Sequence, residues 1–118
     1  MKTGSHRKSI QAVADGTVDV AAIDAVSWEL AKRHEPAAAT LRVIKTTNPT
    51  PGLPYISARR SARDVDQIHL AVIDAMASLE ESIREDLLLM GFAATQDTDY
   101  QIIKNRYEII TAAPTITI

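Results

Sequence analysis

Apolar positions along the chain follow two periods, and the change between them divides it. Residues 5–15 read as a short helix, with Ile10, Val13 and Ala14 at i, i+3, i+4 spacing and Gly16 as its stop. Residues 18–23 form a brief apolar, β-branched run, too short for a helix, and predict a buried strand. From Asp24 to His34 the helical pattern returns through Val26, Leu30 and Ala31, and Pro36 forbids its continuation. Residues 41–46 predict a second strand. The Pro- and Asn-rich stretch 47–52 reads as a turn-rich linker, and 53–58 as a short third strand kept to an edge by Pro54.

Beyond Ser61 the style changes. Ile68, Ala71, Val72, Ala75, Met76 and Leu79 recur at helical spacing, with Asp64 placed to suit the helix dipole. Residues 82–90 predict a further helix closed by Gly91, and 100–112 a last one whose Ile and Tyr content also tolerates a strand. The expected fold class is therefore α/β: residues 1–58 carry a thin, parallel-leaning sheet with flanking helices, and residues 59–118 are helical. Two or three short strands leave apolar edges in want of further strands, which predicts an incomplete domain and a homo-oligomer that covers them.

Composition narrows the function classes. Of 118 residues, 46% are hydrophobic and 24% charged, a globular balance. The net charge of -2 argues against a nucleic-acid partner, which demands a basic face. The absence of cysteine excludes disulfides and thiol chemistry. No apolar stretch nears the roughly 20 residues of a membrane span. Residues 1–6 lack the apolar core of a secretory signal, so the chain as written is expected in the cytoplasm.

Candidate chemistry gathers at the first helix. Lys2, His6, Arg7 and Lys8 surround a helix start that has no acidic residue, which is unfavourable against the dipole. A bound anion reverses that sign: backbone N–H groups, the Ser5 hydroxyl and the His6 imidazole would face it, with Gly4 allowing close approach. The alternative is a plain Ser5 cap among solvated cations. Asp24 ends the apolar run at the point where open α/β sheets place ligand groups. It is equally a good N-cap for the next helix. Tyr55 is either a phenol for a ligand or an ordinary strand aromatic, and Trp28 reads as core. His34 and His69 have no partners at metal-ligand spacing, so neither a metal nor a cofactor is expected. No nucleophile elbow, phosphate loop or dinucleotide fingerprint is present, and no enzyme is expected.

The string 3–16, with Gly4-Ser5-His6 at its head, followed by 18–28 with Ala21-Ala22-Ile23-Asp24-Ala25, resembles substrate-binding proteins of phosphate/phosphite/phosphonate ABC transporters. Residues 51–56 resemble that family's segment crossing back to the first lobe, and 84–92, with Tyr100, its closing helices. The resemblance implies part of a type II periplasmic-binding-protein fold, corresponding to about the C-terminal half, and a periplasmic full-length parent with an ABC permease as partner. It implies capture of a small oxyanion by Gly4, Ser5, His6, Asp24, Ala25 and Tyr55. Two other readings stand beside it: an interaction or regulatory module reusing the lobe, and, by fold analogy alone, an enzyme on a small phosphorylated or pyrimidine-like substrate.

Overall fold

A computed structural model of the chain describes residues 1–112, and the tail of the 59–118 segment lies outside them. Five α-helices occupy these residues: α1 (His6–Ala14), α2 (Ala25–His34), α3 (Ala62–Ser78), α4 (Glu81–Asp86) and α5 (Gln101–Ala112). Two 3-10 turns, Pro36–Thr40 and Asp97–Tyr100, complete the regular structure. No described helix is long and apolar enough to cross a membrane.

Each of the three longer-range helix starts read from the sequence has its cap. Ser5 Oγ accepts from the Lys8 N–H at 3.2 Å, Asp24 Oδ1 from the Ser27 N–H at 2.9 Å, and Ser61 Oγ from the Asp64 N–H at 3.2 Å. Such a bond satisfies one of the donors that a helix start leaves without an intrahelical partner. Helix α1 closes as its glycine dictates. The Thr17 N–H bonds the Ala12 carbonyl at 2.9 Å and the Gly16 N–H bonds that of Val13 at 3.1 Å, with Gly16 at φ +69°. Pro36 ends α2 and then opens the 3-10 turn, where its missing N–H costs nothing.

The predicted strands are the principal correction. Residues 18–23, 41–46 and 53–58 have no regular structure, and no strand occurs among the described residues. A helix closes its hydrogen bonds within itself, whereas a strand exists only when a ladder partner lies alongside. These segments have β-type side chains and no partner. A second correction concerns α4, expected over 82–90 with Gly91 as its stop. It ends at Asp86, because the Leu89 N–H closes onto the Arg84 carbonyl at 2.8 Å. Leu88 takes the left-handed position at φ +58° that glycine normally fills.

The described residues belong to two compact units. The first comprises Met1–Thr46 with Glu85–Leu88. Its core is Ile10, Ala31 and Ala38, exposed by only 2%, 6% and 3%, with Ile23, Trp28 and Leu41 packed around it. Ala is the residue that lets α1, α2 and the 3-10 turn approach closely. Arg33 Nη1 donates to the Glu85 carbonyl at 2.9 Å within the same unit. The second unit comprises Thr47–Arg84 and the chain from Leu89 onward. None of its described residues is buried; along α3, Val65, Ile68 and Leu70 are about half exposed.

Candidate functional site

The start of α1 and the start of α2 meet in the first unit. Gly4, at φ +86°, turns the chain into the extended Ser5, and a side chain at Gly4 would meet nothing within 4 Å. The glycine therefore serves the backbone conformation and leaves an open approach to the helix start. Ser5 uses a lone pair for the Lys8 cap and retains its hydroxyl proton for another acceptor. The N–H groups of His6 and Arg7, the first two of α1, have no protein acceptor among the described residues. Thr3 Oγ1 and Ser9 Oγ lie 2.6 Å apart, and both hydroxyls reach the Ser5 carbonyl, bracing the turn.

The contact between the two helix starts is His6 Nε2 to Asp24 Oδ2, 3.0 Å, with both side chains about half exposed. Asp24 thus performs two tasks with its two oxygens: Oδ1 caps α2 and Oδ2 orients the imidazole. Its carboxyl titrates below its ordinary 3.8 because the Ser27 backbone N–H and hydroxyl stabilise the anion, with His6 and the Val26 N–H adding to this. Partial burial opposes the shift and does not reverse it. The sequence left two readings of Asp24; the structure shows the cap, and adds a partner that neither reading supplied. Ala25 is the first residue of α2, directly beside this carboxylate.

A cleft of about 220 Å³ runs between α1 and α2, lined by His6, Arg7, Ile10, Ser27, Leu30 and His34. It is smaller than the roughly 300–1,000 Å³ that drug-sized ligands occupy, and its lining is mostly apolar. Arg7, read from the sequence as either one of the cations around an anion or a solvated one, is held by Glu35, with Nε 2.6 Å from Oε1. Glu35 is only 19% exposed and escaped the sequence reading. The signal for it was slight, a carboxylate between the end of a helix and Pro36.

Tyr55 belongs to the second unit, where it is largely exposed and lines a separate cleft of about 750 Å³ with Val65, Ile68, Val72, Phe92 and Tyr100. His69, on α3, packs edge-on against Phe92 with ring centroids 4.9 Å apart. His34 is the last residue of α2, and Trp28 is partly buried against the first unit's core. No cluster of metal-ligating side chains occurs among the described residues.

Residues 2–100 match a family model described as the periplasmic phosphonate substrate-binding protein of an ABC transporter. No curated protein and no solved structure matches the chain.

Proposed function

The chain belongs to the periplasmic phosphonate-binding family of ABC-transporter substrate-binding proteins, and from that premise we propose that it forms part of a domain that captures a small oxyanion for import. The family is one of transport proteins, periplasmic in its full-length members, and not of enzymes. In this reading the ligand is phosphonate, phosphite or phosphate, and a membrane permease receives the loaded domain. The sheet of an α/β binding lobe forms when residues 18–23, 41–46 and 53–58 gain ladder partners.

The observation that carries the reading is the convergence of donors at the head of α1. The Ser5 hydroxyl, the His6 imidazole and the free N–H groups of His6 and Arg7 all belong to one helix start, where the dipole favours negative charge. Asp24 has a definite part. A fully deprotonated anion at His6 meets the Asp24 carboxylate 3.0 Å from the imidazole, whereas a ligand carrying an amine or an acid proton donates to it. Ala25 supplies the backbone beside that carboxylate. Self-association of the chain covers the apolar side chains it exposes, among them Leu53 and Ile56.

Titration calorimetry with phosphonate, phosphite and phosphate tests the oxyanion reading. His6→Gln keeps the size of the side chain and the Ser5 cap. It is expected to weaken binding by roughly tenfold to a hundredfold, the worth of one charge-assisted hydrogen bond. Unchanged affinity in His6→Gln, with helical circular dichroism intact, would refute the assignment. Asp24→Asn is expected to narrow the preference for ligands bearing a donor.

A further inference from the structure

Residues 19–23 and 42–46 share two properties. No backbone hydrogen bond engages either stretch among the described residues, and both are rich in β-branched side chains. Val20, Val43 and Ile44 are more than half exposed. Their charges are of opposite sign. Asp19 lies in the first stretch, Arg42 and Lys45 in the second, and among the described residues none of the three forms an ion pair.

The exposed area states how much surface wants covering. A compact chain of 12.9 kDa exposes about 6,300 Å², and even two separate compact units of these sizes would together expose about 7,600 Å². This chain exposes 10378 Å². The excess over separate units is at least about 2,700 Å² per chain, spread over both units, against the ~800 Å² per partner of a standard interface. The net charge of -2 places no strong repulsion between copies.

We propose that two copies of this chain pair reciprocally, residues 18–23 of one as an antiparallel strand against 41–46 of the other. This rests on the self-association reading above and specifies its surface. The register that sets Asp19 across from Lys45 also sets Val20 across from Ile44 and Ile23 across from Leu41. Of the six cross-strand pairs, Asp19–Lys45 is opposite in charge and Val20–Ile44, Ala21–Val43 and Ile23–Leu41 are apolar, the two kinds that stabilise antiparallel ladders, while Val18–Thr46 and Ala22–Arg42 are mixed. A two-fold axis makes the contact twice, so each unpaired stretch in each copy gains one ladder partner and the assembly closes.

The chain has no cysteine, which permits a clean test. Val20→Cys and Ile44→Cys are made in separate full chains and mixed under mild oxidant. Directly opposed residues have Cα atoms about 4.5–5.5 Å apart, within disulfide range. The mixture is expected to yield a covalent heterodimer, and either variant alone none. In unmodified protein, sedimentation equilibrium is expected to show a dimer whose formation raises the strand band in the infrared amide spectrum. Asp19→Lys is expected to weaken that dimer about tenfold, through two like-charge pairs, and the double variant with Lys45→Asp to restore it. A dimer that neither cross-links in the mixture nor gains strand signal overturns the pairing while leaving self-association intact. A monomer at all concentrations overturns both, and neither result touches the oxyanion assignment.

Discussion

Replacing Asp24 separates two tasks that one carboxylate performs. Loss of an Asp N-cap costs about 0.5–2 kcal/mol, with about 1 typical. The His6 contact adds about 0–1 kcal/mol, at the lower end because both side chains are half exposed and screened. Asp24→Ala removes both and is expected to cost about 1–2 kcal/mol; Asp24→Asn keeps a capping oxygen on Ser27 and is expected to cost about half as much or less. The pH dependence follows from the direction of the shift. Asp24 titrates below 3.8 in the folded chain, so the folded state favours the charged form. Its contribution is present in full above the unfolded value and is lost as pH falls through the lower, folded value. Urea unfolding followed by helical circular dichroism, at neutral pH and in acid, measures each part. Asp24→Asn is expected to be destabilised relative to the natural chain at neutral pH and to converge with it in acid. Equal losses for Asn and Ala at neutral pH would refute the division of labour, and a difference that persists in acid would show that the charge is not its source.

Two further perturbations test the first unit. Ile10→Ala removes the largest side chain of a core otherwise built of Ala31 and Ala38 and is expected to cost about 2 kcal/mol or more in the same urea assay. Gly16→Ala forces a Cβ into φ +69° at the helix closure and is expected to cost about 1 kcal/mol, read as a lower thermal midpoint.

The helices were legible because their signals are local. Ser5, Asp24 and Ser61 each lie three residues before the N–H they cap, and Gly16 lies at the turn it permits. Strand pairing is not local in this sense. Residues 41–46 carry the side chains of a strand, yet whether they form one depends on what lies beside them. The end of α4 was illegible for a different reason: nothing in a run of leucines marks Leu88 as the residue to take a left-handed conformation. At the site, Ser5, His6 and Asp24 were each visible by residue type and position. Their convergence came from the family resemblance alone and not from residue type or spacing, since it requires the angle between α1 and α2 that the small Ala31 and Ala38 allow. Glu35 was missed because a carboxylate at a helix end is ordinarily solvated.

The stretch between the 3-10 turn at Pro36–Thr40 and the start of α3 also bears on how the polypeptide survives in a cell. Proteases bind their substrates as a single extended strand, and here an unfolded conformation need not be awaited, because the peptide already presents itself without regular structure. Arg42, Lys45, Arg59 and Arg60 punctuate it, so a trypsin-like enzyme finds cleavable bonds along its length. Cleavage at Arg59 or Arg60 leaves Ile10, Ala31 and Ala38 together on one product. Limited digestion with trypsin is therefore expected to cut within this stretch first, and any covering of it to slow the cut.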